Sequence, residues 1–309
     1  MQKIIFKNAW EILKDSAKEF SNDKAMKLSA SLAYYTVFSL APMLIVIISL
    51  SGFFFGEEAM QGEIYNQIKG LVGEKAALQI QEMIRSINLS GNNLLSTIIG
   101  VAILLIGATG VFIEIQDSIN YIWGIKAKPQ RGLLKMIVNR LLSFSMVVSL
   151  GFLMMVSLII NAILMAISQK LASFFPDLTV YIVNVFNFAL TFCIIVVLFA
   201  IIFKVLPDAK IKWKDVRTGA IVTGILFLFG KFGISYYLGH SDVSSAYGAA
   251  GSLIIILVWV YYSSTILFFG AEFTKVYARH LGSKIIPVEY AVYVIKEEVE
   301  YEKEGKVTP

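Results

Sequence analysis

The chain has 309 residues, of which 57% are hydrophobic and 16% charged, and its mean hydropathy is +0.72. Soluble domains carry about 25% charged residues, so this balance excludes an ordinary water-soluble domain and indicates a chain that lives in lipid. The net charge of +5 does not point to nucleic acid, because the basic residues gather at the borders of apolar runs, where anionic headgroups lie.

From the N-terminus, Phe6, Trp10, Leu13, Ala17 and Phe20 recur at helical spacing, with Lys7, Glu11, Lys14 and Lys18 off the stripe. This predicts an amphipathic helix within residues 1–28, lying in the headgroup plane or packed beneath a bundle. No short apolar core with a small-residue cleavage site precedes the first long apolar run, so the N-terminus is expected to be retained. Six apolar runs follow, at about 29–55, 94–114, 137–167, 180–205, 216–238 and 247–271. Each is near or above the roughly 20 residues that a helix needs to cross about 30 Å of hydrocarbon. Between the first two runs, residues 56–93 read as two short amphipathic helices broken near Gly70 and Gly73, a helical outer loop covering the bundle mouth. The tail, residues 276–309, contains Pro287 and then turns acidic; a short helix or strand is expected, then disorder from about residue 300. The single cysteine, Cys193, falls inside the fourth run and allows no internal disulfide.

Counting Lys and Arg on alternate sides of the six runs gives 22 on the side of both termini and four on the other. Cationic loops stay in the cytoplasm. The expected fold is therefore all-α: a polytopic protein of six transmembrane helices with both ends inside, its membrane domain spanning 29–275 between a cytoplasmic helix and a cytoplasmic tail.

Helices in lipid meet through small residues, and ionisable groups inside spans mark function or pairing. Gly107 and Gly110 lead along one face of the second span to Glu114 and Asp117. Pro42 is expected to kink the first span beside Tyr35. Gly219, Thr223, Gly230, Gly233 and Tyr237 line the fifth, with Lys231 on the neighbouring face. Ser244, Gly248 and Ser252 form a small-residue groove into the sixth, followed by Tyr261 and Glu272. Lys231, Asp242, Glu114, Asp117, Glu272, Tyr35 and Tyr261 are the candidate substrate- or ion-binding residues. Pro42, Gly107, Gly110, Gly230, Gly233, Ser244, Gly248 and Ser252 are the packing or hinge positions. Each has a plainer reading: Lys231 can snorkel to the interface, the carboxylates can pair with nearby bases, and Trp123, Trp213, Tyr236 and Tyr237 suit a headgroup belt.

The stretches SASLAYYTVFSLAPMLIV (29–46), GATGVFIEIQDSINYIW (107–123), LPDAKIKWKDVRTGA (206–220), GKFGISYYLGHS (230–241) and SAYGAAGSLIIILVWVYYSSTILFFGAEFTKVYA (245–278) resemble the YihY/virulence factor BrkB family of bacterial inner-membrane proteins. The resemblance implies six transmembrane helices in the bacterial cytoplasmic membrane, a cell-envelope role connected with resistance to host killing and with lipid or solute export, and no catalytic residues. An old label of ribonuclease BN attaches to some relatives. Metal-dependent RNA hydrolysis needs clustered His and Asp ligands, but His240 and His280 fall on opposite sides of the predicted membrane. Phosphate-binding and nucleophile-elbow motifs are absent. The expectation is a non-enzymatic transporter or lipid/solute exporter with no ATPase, metal or cofactor, in contact with anionic membrane lipids. The small-residue faces also fit contacts between copies in a homo-oligomer. The alternative is a structural, partner-organising membrane protein.

Overall fold

A computed structural model of the chain describes residues 2–39, 110–128, 176–240, 251–281 and 283–294, with isolated positions 74, 77, 78 and 81. The first predicted span is described to residue 39 and the second from residue 110, and the third lies wholly outside these residues. So does all but four positions of the 56–93 loop.

The N-terminal helix α1 is Gln2–Asn22. It turns through Asp23 and Lys24, whose positive φ of 52° makes a corner rarely adopted by a non-glycine residue, into α2, helical from 25 to 39. Helix α3 covers 110–122 and ends at Gly124, where φ is +66° and the amide donates to Tyr121 O at 3.1 Å. A left-handed glycine just past the last turn is a standard helix stop. Strand β1 (Ile125–Ala127) follows. Then come α4 (Pro176–Val205), β2 (Ala209–Lys210), α5 (Trp213–His240), α6 (Gly251–His280), β3 (Ile286–Pro287) and β4 (Ala291–Tyr293).

Among the described residues three segments are long and apolar enough to cross a membrane: Val185–Val205, Trp213–Tyr237 and Leu253–His280. They coincide with the fourth, fifth and sixth predicted runs. The first of them turns Val185, Phe186 and Phe188 outward, as lipid immersion requires. Helix α5 packs between α4 and α6. An aromatic ladder crosses all three: Phe199 stands 5.8 Å from Phe227, and Phe227 meets Trp259 edge-on at 6.1 Å.

The α5–α6 contact is built from a reciprocal pair of motifs. Thr223 sits where a side chain on Gly270 would stand, and Thr274 sits where one on Gly219 would stand. Each threonine hydroxyl donates 2.7 Å back to a carbonyl of its own helix, Thr223 to Gly219 O and Thr274 to Gly270 O. The two Gly-x-x-x-Thr faces interlock with no hydroxyl left without an acceptor, the small-residue packing that lipid favours. Higher up, Gly230 makes room for the Tyr262 ring in the same way.

At one end of the bundle the mostly helical fold is supplemented by short strands. Strand β1 pairs antiparallel with β4 (Ile125 opposite Tyr293), and β2 with β3 (Ala209 opposite Pro287). Residues 283–294 thus fold back onto two interhelical loops, and α6 runs on to His280 before they begin.

Candidate functional site

The end carrying α1 and the tail strands holds most of the buried polar chemistry among the described residues. Helix α1 packs against the last turns of α6, but with a face other than its apolar stripe. Ile12 joins Phe273 and Val276 in a small core, and Ser16, Glu19 and Asp23 continue that side. Trp10 is 70% exposed. Of the stripe residues whose side chains are described, Trp10, Leu13, Ala17 and Phe20, only Phe20 turns to the bundle, its ring 5.9 Å from Phe269. The helix therefore has a packed side and a separate apolar side open to the surroundings.

The packed side delivers two carboxylates to a lysine. Lys275 Nζ lies 3.2 Å from Glu19 Oε2, 3.1 Å from Asp23 Oδ2 and 3.0 Å from Glu272 Oε2, and donates to Ile122 O at 2.8 Å. The last contact supplies a proton donor to the end of α3, where carbonyls have no partner in the helix. A carboxylate oxygen from each of Glu19, Asp23 and Glu272 falls within 4.8 Å of the others, and the lysine ammonium occupies the place of a cation among them. Glu272 is wholly buried, and neither of its oxygens makes a hydrogen bond of acceptable geometry, so its link to Lys275 is one of charge. At the rim Arg279 binds Glu19 Oε1 at 3.2 Å, and His280 meets Asp15 at 2.9 Å. Burial would raise the Glu19 carboxyl, but the combined effect of Lys275 and Arg279 outweighs it and holds the group below its ordinary value.

Asp208 is the second hub. Buried in the turn after α4, it accepts from Gln116 Nε2 at 3.0 Å and Asn120 Nδ2 at 2.9 Å, while its own amide donates to Asn120 Oδ1 at 2.9 Å. Its carbonyl receives Val288 N from the tail at 3.1 Å. Burial first, and Asp208 second, push the Tyr290 phenol above its ordinary value. Trp123, expected at a headgroup belt, is instead 6% exposed, and its indole donates to Ala271 O at 3.1 Å. The reason is that α3 ends against α6, leaving that ring an interior carbonyl to bind. Beside this junction opens a cleft of about 630 Å³ lined by Asp117, Asn120, Tyr121, Gly124, Lys126 and Val294.

The sequence candidates disperse. Glu272 is in the cage and Asp117 in the cleft. Glu114 is partly buried on α3. Tyr35 is exposed, edge-on to Tyr34 at 5.9 Å and near Gly110. Tyr261 reaches Met26 Sδ at 3.6 Å. Lys231 is half-buried beside Gly230. Since Gly230 backs onto Tyr262, ten residues from Glu272, Lys231 is separated from the cage by about 15 Å of helix at ~1.5 Å per residue. Gly233 has nothing within 4 Å of where a side chain would stand. Pro42, Gly107, Asp242, Ser244, Gly248 and the side chain of Ser252 lie outside the described residues. Periodicity did not single out Lys275, Glu19, Asp23, Asp208, Gln116 or Asn120. The one local signal was the Glu272–Lys275 spacing of three, an ordinary helical ion-pair interval.

Comparison with known proteins gives a consistent picture. The profile of a family described as Virulence factor BrkB matches residues 16–286. A UPF0761 membrane protein of Pseudoalteromonas atlantica is 27% identical over 247 residues, 79% of this chain and 78% of that protein. One of Kangiella koreensis is 25% identical over 268 residues, 84% of this chain but 63% of the longer relative, and one of Aeromonas salmonicida is 25% identical over 82% of this chain and 84% of its own. The chain thus spans about three fifths of the length of several relatives it matches. No solved structure matches.

Proposed function

The chain belongs to the virulence factor BrkB family of membrane proteins, and from that premise we propose that it is a transporter of the bacterial cytoplasmic membrane, moving a lipid or an anionic solute without an ATPase of its own. The observation that carries the reading is the cage around Lys275. A buried ionic cluster is a poor way to hold helices together, because desolvation consumes most of its attraction and apolar packing of similar volume does as well or better. It is a good way to hold a joint that must open, since water or a proton replaces its bonds. The cage ties α1 to the last span, and with α1 read as a cytoplasmic helix it stands where a gate facing the cytoplasm would be. Lys231, in the far half of α5, is the cation proposed to meet the anionic group of the substrate.

The test is reconstitution of the full chain into vesicles containing a fluorescent anionic phospholipid, and separately into vesicles loaded with an anionic dye. Faster transfer than in protein-free vesicles in either arm is expected, falling to background in Lys231→Met with protein level unchanged. Background rates in both arms for the unmutated protein would overturn transport and leave a structural, partner-organising role.

A further inference from the structure

Helix α1 has two sides, and the contact with α6 uses one of them. Ile12 and Glu19, which touch α6, fall roughly 160–180° round the helix from Trp10. The far side holds Trp10, with Leu13 and Ala17 also open. Exposed Lys14 and Lys18 flank that stripe within about 80° of Trp10. The acids lie further round: Glu11 at about 100°, Asp15 turned to His280, and Glu19 turned to Lys275 and Arg279. An apolar edge bordered by lysines is the composition of a helix that lies in a membrane surface.

Where this edge points follows from what α1 touches. Phe20 meets Phe269, inside the apolar segment Leu253–His280, whereas Asp15 meets His280 at the end of that segment. The two contacts are about 16 Å apart along α6 at ~1.5 Å per residue. The Phe20 side of α1 therefore looks back along the span toward the bilayer, and the Asp15 side looks past it toward water. Leu13, seven residues before Phe20, lies on nearly the same line of the helix, with Ala17 and Trp10 beside it. The segment of 28 residues exceeds the roughly 20 that cross the hydrocarbon, so its charged last turns, where α1 packs, stand at headgroup level. Trp213 marks the same level: the Gly219–Thr274 register sets the start of α5 beside the end of α6, and the indole there is 62% exposed with Lys204 over its ring, as suits an interfacial tryptophan.

We propose that α1 is an interfacial lipid-binding helix: Trp10, Leu13 and Ala17 enter the leaflet at this end of the bundle, and Lys14 and Lys18 bind the phosphate groups of anionic phospholipids. The lysine stems cover the apolar edge while their ammonium groups stay among the headgroups. A second copy of this chain or a soluble partner would have to reach the edge from the side on which the bilayer lies. One helix is thus fastened twice, to α6 by the ion pairs of Glu19 and to the leaflet by apolar contact and headgroup charge. The inference does not rest on the transport reading.

Tryptophan quenching by brominated acyl chains tests it on the full chain in phosphatidylcholine vesicles. The signal of Trp10 is the difference between the unmutated protein and Trp10→Phe. One set of vesicles contains a minor fraction of acyl-brominated phosphatidylglycerol, and the other the same fraction of acyl-brominated phosphatidylcholine. Quenching of Trp10 is expected in both, about two- to fivefold stronger with the anionic lipid at low ionic strength. In the double variant Lys14→Gln, Lys18→Gln, or in high salt, the two sets should converge. Trp10, Lys14 and Lys18 are exposed, so these substitutions leave the packed side of α1 intact. No quenching in either set would mean that protein or water covers the edge, and would overturn the proposal. Equal quenching by the two lipids, or a preference that survives loss of both lysines, would overturn it as well. Transfer rates are measured separately, so failure of lipid binding by α1 and failure of transport are told apart.

Discussion

The middle of the α5–α6 contact and the junction of α1, α3 and α6 hold helices together with opposite chemistry. In the first, Gly219, Thr223, Gly270 and Thr274 interlock with every hydroxyl satisfied within its own helix and no ionised group involved. In the second, four charged side chains and a backbone carbonyl converge on one buried point. Neutral close packing gains from contact area and shape alone, so it resists pH and salt and does not come apart by degrees. A charged junction depends on protonation and water, so it can be switched. One chain thus pairs a neutral interlocked contact with a charged one.

The largest effect expected from breaking the contrast is at Lys275. Lys275→Met leaves carboxylates facing one another in a buried site, and removal of one partner from a buried pair costs about 3–5 kcal/mol. Thermal unfolding of the purified variant should show this loss at neutral pH and a smaller one in acid, where the carboxylates protonate. A loss that does not shrink in acid would mean that the lysine acts by packing its stem.

The next effect sharpens the other side. In Gly219→Ala the added methyl meets the Thr274 hydroxyl, and overpacking of this kind costs about 1–3 kcal/mol. The loss should be the same at every pH, and Thr274→Ala, which opens the space, should restore much of it in the double variant. A double variant as unstable as the sum of its parts would show that the two positions do not touch.

The two regions also differ in how far the sequence discloses them. Spans four to six are legible because lipid dictates both length and composition, and the glycine and threonine track of the fifth span lies along one helical line. Even there the line misleads at Gly233, since three residues past Gly230 is about 60° round the helix, and nothing faces it. The cage is illegible for a different reason. Glu19 and Lys275 are brought together by the fold across almost the whole chain, and no local period encodes that. The apolar stripe of α1, read as facing either the headgroup plane or the bundle, did not disclose the packed side, because that side carries Ser16, Glu19 and Asp23 between its apolar residues. The tail strands are two and three residues long, so the weak alternation after Pro287 predicts a short helix or strand there without giving its partner. Yet three of the stretches that carry the family resemblance, 107–123, 206–220 and 245–278, supply Gln116, Asn120, Asp208, Glu272 and Lys275. They meet at this end of the molecule.

The smallest effect separates charge from shape within the charged junction itself. Glu19 sits at its edge, with Lys275 and Arg279 holding its folded value below the ordinary 4.5. A carboxyl depressed on folding adds stability that is fully present above the unfolded value and is lost as the pH falls through the folded one. Glu19→Gln should therefore lower stability at neutral pH by about 1 kcal/mol, the range of a partly exposed pair. The difference from the unmutated protein should close as the pH drops below 4.5. Unfolding followed across that window decides the matter. The Gly219→Ala deficit, measured alongside, should stay constant while the Glu19→Gln deficit disappears; if both stay constant, the α1 junction is held by shape as the α5–α6 contact is, and it is no switch.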